Sequence, residues 1–151
     1  MKRFSTCVMA LSALVLCACS QPDAPHESIQ DAAADLSVVA ELSKGPGNIT
    51  VTPSGEIIVS LHQFFDYDVR VASINDKSQL VPFAAAANVN SVLGLQADSD
   101  GVVWLLDNAM RGGTTRRLVG WDASKDSLVA DIDLTAVTTG SSFLNDLAVD
   151  P

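Results

Sequence analysis

The chain repeats a strand–turn–strand pattern at a regular spacing. The first copy, VTPSGEIIVSL, covers residues 51–61, and the second, ADSDGVVWLLD, covers residues 97–107. Their turn glycines, Gly55 and Gly101, lie 46 residues apart, and a third copy begins as LAVDP at 147–151. A period of about 40 to 50 residues in a pattern of short strands is typical of β-propeller blades. This spacing constrains the fold more than any single motif does.

Each repeat contains four short apolar runs that are separated by polar turns. Alternating and β-branched residues predict strands within these runs. The runs are 48–61, which holds two strands around Gly55, then 69–75, 79–83, 91–98, 102–107, 117–122 and 127–134. We therefore expect an all-β fold in which residues 36–151 form about two blades of a β-propeller and the beginning of a third. Two blades and a stub do not close a ring, so we expect this region to be the N-terminal part of a propeller.

The first 18 residues have the features of a signal peptide. Lys2 and Arg3 are followed by an apolar run at 8–18, which is too short to span a bilayer as a helix. The run ends in Leu-Cys-Ala-Cys at 16–19, and this sequence resembles the lipobox of bacterial lipoproteins. The resemblance implies cleavage before Cys19 and lipid attachment to its thiol, with an ordinary secretory signal as the alternative. The residue after Cys19 is Ser20 and not Asp, and this resembles the sorting signal of lipoproteins that are sent to the outer membrane. We therefore expect an envelope protein whose globular part faces the periplasm.

Residues 19–35 predict a flexible acidic tether between the anchor and the globular part. This stretch has two prolines and a single large apolar residue, Ile29, so it cannot bury enough surface to order itself. With Lys2 and Arg3 removed, seven basic and 18 acidic residues remain, for a formal charge of −11. This excess of negative charge excludes nucleic acid as an expected partner and leaves the lipid anchor as the expected contact with the membrane.

Four segments resemble the major royal jelly protein / Yellow family, which includes bacterial members described as dopachrome-tautomerase-related. The segments are 47–64, 91–108, 118–122 and 141–150, and they occur in the order that the family has. The resemblance implies a six-bladed propeller, of which this chain would cover roughly the N-terminal third. It also implies a distant relation to gluconolactonase-like propellers, which hold a divalent cation in the central channel.

Asn145 and Asp146 are the candidate metal ligands. They precede the innermost strand of the third repeat, where the channel mouth of a propeller lies, and the resemblance implies that an asparagine there binds metal. Amide and carboxylate oxygens suit Ca²⁺. In the same register the first two repeats offer Asn48 and Gly94, with no carboxylate. The alternative is that Asn145 and Asp146 cap a loop by accepting hydrogen bonds from backbone N–H groups.

Two further polar residues are candidates for the channel. Asn48 precedes the first strand, and His62 follows the second strand and is the one histidine of the predicted globular region. His62 could act as a general base, or it could be a loop residue beside Phe64. The sequence contains no serine-hydrolase, zinc-protease or phosphate-loop motif.

Three functions remain open from the sequence. The first is an envelope lipoprotein whose channel binds a small organic ligand. The second is a lactonase or isomerase assisted by a channel cation. The third is a gene fragment without independent function. Three or four Glu, Asn or Asp residues that converge on the channel would favour the enzyme over the binding module.

Overall fold

The structure is a computed structural model that describes residues 36–61, 63–85, 89–109 and 115–150. Ser37–Pro151 forms one compact unit. Its strands are β1 (Ile49–Val51), β2 (Ile57–Ser60), β3 (Val71–Ile74), β4 (Leu80–Pro82), β5 (Val92–Ala97), β6 (Val102–Asp107), β7 (Arg117–Asp122) and β8 (Ser127–Asp133). Short 3₁₀ turns occupy Gln63–Phe65 and Thr135–Val137, and the described residues contain no α-helix. The predicted all-β class is therefore confirmed.

The eight strands form two four-stranded antiparallel sheets. Sheet 1 has the order β1-β2-β3-β4 and sheet 2 the order β5-β6-β7-β8, so every strand pairs with its neighbour in sequence. In sheet 1, Val59 lies opposite both Ile49 and Ala72. In sheet 2, Leu105 takes the equivalent place opposite Leu95 and Val119. The predicted repeat of four strands is thus present twice.

The turns that join the first two strands of each sheet are alike. Gly55 and Gly101 have φ angles of 88° and 84°, in the left-handed region where a side chain would be strained. In the second turn the Asp98 carboxylate accepts hydrogen bonds from the backbone N–H groups of Asp100 and Val102 and from Trp104 Nε1. Burial would raise the pKa of Asp98, but these hydrogen bonds outweigh it and lower the pKa. Asp98 therefore stabilises the hairpin turn that the sequence pattern around Gly101 predicts.

The main hydrophobic core lies between the two sheets. It combines Ile58 and Val71 of sheet 1 with Val103, Leu105 and other buried residues of sheet 2. These side chains belong to one face of each sheet, because they alternate with residues that point away from the core. The sheets therefore pack face to face, and β1 and β2 lie next to β5.

The opposite face of sheet 1 is apolar but largely open. A smaller cluster forms around Val59, Leu61 and Ala72, while Ile49 and Val51 remain 56% and 58% exposed. Nothing in the part of the chain described here covers this face completely.

No helix of the described residues is long and apolar enough to cross a membrane. The predicted signal peptide, the tether and Cys19 lie outside the described residues.

Candidate functional site

A hydrogen bond between residues 144–150 and sheet 2 is equivalent to one that joins sheet 2 to sheet 1. Between the sheets, the backbone N–H of Ala97 in β5 donates to Thr50 Oγ1 in β1, at 2.9 Å. One repeat later, the backbone N–H of Val149 donates to Gln96 Oε1 in β5, at 3.0 Å. Thr50 and Gln96 occupy equivalent positions, as do Ala97 and Val149. The segment thus takes the place that the innermost strand of a third sheet would have.

Gly94 makes room for this segment. A Cβ atom at Gly94 would lie 2.7 Å from Asp146 Cα and 2.9 Å from the carbonyl oxygen of Asn145. Both contacts involve backbone atoms, which cannot move aside as a flexible side chain can. The absence of a side chain at residue 94 therefore allows the backbone of 145–146 to lie directly on β5.

The structure brings together two of the predicted site residues, Asn48 and Asp146. Asn48 Nδ2 donates a hydrogen bond to Asp146 Oδ1 at 3.1 Å, across Gly94. The same carboxylate oxygen accepts the backbone N–H of Leu147 at 2.8 Å. Asn145 lies beside this pair, and its carbonyl oxygen faces Gly94. His62, the remaining candidate, lies outside the described residues.

Asn48 and Asp146 line a cavity of about 450 Å³ between β1, β5 and the first residues of the third repeat. Its walls come from β1, from β5 and from the first residues of the third repeat. They are Asn48, Ile49, Thr50, Val51, Leu95, Gln96, Asp146 and Leu147. Asp146 is the one ionisable residue of this set. The cavity thus combines four apolar side chains with four polar side chains from three successive repeats.

The described side chains do not assemble a calcium site around Asn145 and Asp146. Ca²⁺ takes six to eight oxygen ligands, whereas this cavity contains one carboxylate. Asp146 Oδ1 is already occupied by two N–H donors. Among the described residues, no group of three or more His, Cys, Asp or Glu side chains could hold a metal ion. The bond to the N–H of Leu147 instead matches the alternative in which Asp146 caps a loop.

The buried carboxylate of Asp107 holds one end of sheet 2 in place, and the sequence analysis did not identify this residue. Asp107 is 1% exposed, and it accepts hydrogen bonds from the backbone N–H groups of Asn90, Ser91 and Ala109. Its Oδ2 also lies 3.6 Å from the guanidinium of Arg117. The sequence does contain a signal for this role, because Asp107 ends the apolar strand run 102–107.

Asn108 connects this buried end to the segment that carries Asp146. Its side chain is 1% exposed, and Nδ2 donates to the carbonyl oxygen of Leu144 at 3.4 Å. The backbone N–H of Asn108 donates to the carbonyl oxygen of Ser91 at 2.9 Å. The position of residues 145–146 therefore depends on Asn108 as well as on Gly94.

Comparison with models of known protein families found no match, and a search of the curated proteins found no relative.

Proposed function

We propose that the two sheets are neighbouring blades of a β-propeller of the royal jelly / Yellow type, and that the chain binds a small organic ligand. Three features support the blade assignment. The sheets have four strands each in sequence order, and β1 lies next to β5. Equivalent hydrogen bonds join β5 to β1 and residue 149 of the third repeat to β5. The family assignment rests on the sequence resemblance.

The cavity beside β1 and β5 is the observation that supports a binding function. Its volume of about 450 Å³ lies within the range of small-molecule sites, roughly 300 to 1,000 Å³. Apolar side chains with a few convergent polar groups are also typical of such sites. In a propeller, the inner strands line the central channel, so the cavity corresponds to one sector of a channel wall.

Filling the cavity should abolish binding. Glucose, glucono-δ-lactone and catechol would be tested as probes of the full-length chain by saturation-transfer NMR. We expect saturation of at least one probe, and we expect the Val51→Trp variant to remove it, because Val51 lines the cavity and is exposed enough to accept a larger side chain. Val81→Trp is the matched control, since Val81 is also an exposed strand valine but lies outside the cavity. If no probe is saturated, or if both variants respond equally, the proposed site is wrong.

We also propose that the protein is a lipoprotein of the bacterial envelope, anchored through Cys19 and facing the periplasm. Several acyl chains at about 0.8 kcal/mol per buried methylene would hold it at the membrane. Cells grown with an alkyne-labelled palmitate should yield a labelled product, and Cys19→Ser should remove the label completely. Cys17→Ser is the control, because the proposed cleavage removes Cys17 with the signal peptide. Label that persists in the Cys19 variant would contradict the anchor.

A further inference from the structure

Ser60 places a buried hydroxyl group at the end of β2, where its side chain is completely buried. In sheet 2 the equivalent place belongs to Leu106, which is 7% exposed. An apolar side chain is therefore enough to pack this end of a sheet, whereas a buried hydroxyl group needs hydrogen-bond partners to offset its lost hydration. Ser60 Oγ accepts from the backbone N–H of Asn48 at 2.8 Å and donates to the carbonyl oxygen of Leu93 at 2.7 Å. One hydroxyl group thus joins β2 to the residue before β1 and to β5 of the other sheet.

The carbonyl group that Ser60 holds belongs to a β-bulge. Residues 92–95 of β5 contain the bulge, because β5 has one residue more there than its partner strand β6. Bulges interrupt the regular pairing of a strand and are frequent next to functional sites, where they redirect side chains. Leu93 lies in the bulge and is bonded to Ser60, and Gly94 follows it and lies against the backbone of 145–146. The hydroxyl group of Ser60 therefore holds the part of β5 on which the third repeat begins.

Ser60 also fixes the backbone of Asn48. The N–H of Ser60 donates to the carbonyl oxygen of Asn48 at 3.0 Å, so both backbone polar groups of Asn48 are bonded to Ser60. From this position Asn48 Nδ2 donates to Asp146 Oδ1 at 3.1 Å, and Asn48 Oδ1 accepts from the N–H of Ile49 at 2.7 Å. The place of the Asn48 side chain in the cavity wall thus depends on Ser60.

We propose that Ser60 is a positioning residue of the cavity. This role rests on the proposed binding function and concerns the same cavity, whose wall includes Asn48 and Asp146 but not Ser60 itself. The Ser60 hydroxyl group holds Asn48 on one side and the bulge of β5 on the other, and this sets the distance between Asn48 and Asp146 across Gly94. A ligand then meets two polar side chains in a fixed arrangement and does not have to order them on binding.

A contact between two N–H groups reports on this arrangement. The side-chain amide of Asn48 and the backbone N–H of Leu147 donate to the same oxygen, Asp146 Oδ1, so their protons should give a nuclear Overhauser cross-peak in the full-length chain. We expect Ser60→Ala to remove this cross-peak. A serine that only stabilised the sheets would lower the stability and leave the cross-peak in the folded molecules. Ser73→Ala is the matched control and should keep the cross-peak, since Ser73 is a strand serine of the same sheet that lies outside the cavity.

Probe binding tests whether the arrangement matters for a ligand. Glucose, glucono-δ-lactone and catechol would be titrated into the full-length variants by saturation-transfer NMR. We expect Ser60→Ala to weaken the binding of a saturated probe about three- to tenfold, because a displaced Asn48 loses a hydrogen bond of ordinary strength to the ligand. In a chain that already carries Asn48→Ala, the same change should alter binding by less than about twofold, because Ser60 acts on the ligand through Asn48.

The outcomes separate the role of Ser60 from the binding function. If Ser60→Ala does not fold, Ser60→Cys replaces it, because a thiol is of similar size but is only a weak donor and acceptor, and it should show the same losses. A cross-peak that persists in the folded variant, or an equal loss of binding with and without Asn48→Ala, would overturn the positioning role and leave the cavity as a binding site. No saturation of any probe by the unmodified chain would contradict the proposed function, and the role of Ser60 in binding would fall with it.

Discussion

Gly94→Ala is expected to destabilise the protein by about 2–3 kcal/mol and to detach residues 144–150 from β5. The added Cβ would lie 2.7 Å from Asp146 Cα and 2.9 Å from the carbonyl oxygen of Asn145. Overpacking of this kind costs about 1–3 kcal/mol, and we expect the upper part of that range because both neighbours are backbone atoms. Chemical denaturation would measure the loss in the free energy of unfolding.

A local measurement distinguishes detachment of the segment from a general loss of stability. The N–H of Val149 donates to Gln96 Oε1, so its hydrogen exchange should become faster in Gly94→Ala, whereas exchange of the N–H of Ala97 should not. Gly140→Ala is the matched control, since a Cβ there meets no atom within 4 Å, and its effect should stay within about 0.5 kcal/mol. Equal stability of the two variants would show that residues 145–146 do not lie on β5.

The hairpins of this fold were predictable because their signals are local. Alternating apolar residues and a turn glycine with positive φ are read within about ten residues of sequence, so β6 (Val102–Asp107) and β7 (Arg117–Asp122) were predicted with the bounds that the structure has. β3 is shorter than its predicted run, 69–75, because pairing with β2 begins only at Val71. Strand ends depend on the partner strand, which the local pattern does not contain.

The candidate site was predictable only in part, because its contacts join residues far apart in the chain. Aligning the repeats placed Asn48, Gly94 and Asp146 in one register, and the hydrogen bond between Asn48 and Asp146 agrees with that alignment. Thr50 and Gln96 were missed, since a single polar residue on an apolar strand does not reveal which backbone N–H it will meet. Their roles follow from how successive sheets stack, and sequence spacing alone does not give that geometry.

The buried carboxylate of Asp107 belongs to the same class of missed residues, and its removal should have the larger effect on stability. Asp107→Ala leaves the N–H groups of Asn90, Ser91 and Ala109 without their acceptor and separates Arg117 from a buried partner. Each unsatisfied buried N–H group costs about 1–3 kcal/mol, whereas the Arg117 side chain is 26% exposed and keeps Asp131 as a partner, so the lost ion pair adds little. We expect a loss of about 3–5 kcal/mol in the free energy of unfolding, measured by denaturation of the full-length chain.

Asp131→Ala provides a control that involves the same arginine. Asp131 Oδ2 lies 3.0 Å from Arg117 Nη1, closer than the 3.6 Å between Arg117 Nη2 and Asp107, but the Asp131 side chain is 41% exposed. Exposed ion pairs contribute about 0–1 kcal/mol, so this variant should be nearly as stable as the unmodified chain. A similar loss in both variants would mean that the ion pairs of Arg117, and not the backbone N–H groups held by Asp107, stabilise this end of sheet 2. Because Asn108 follows Asp107 and donates to the carbonyl oxygen of Leu144, only the Asp107 variant should also weaken probe binding in the cavity.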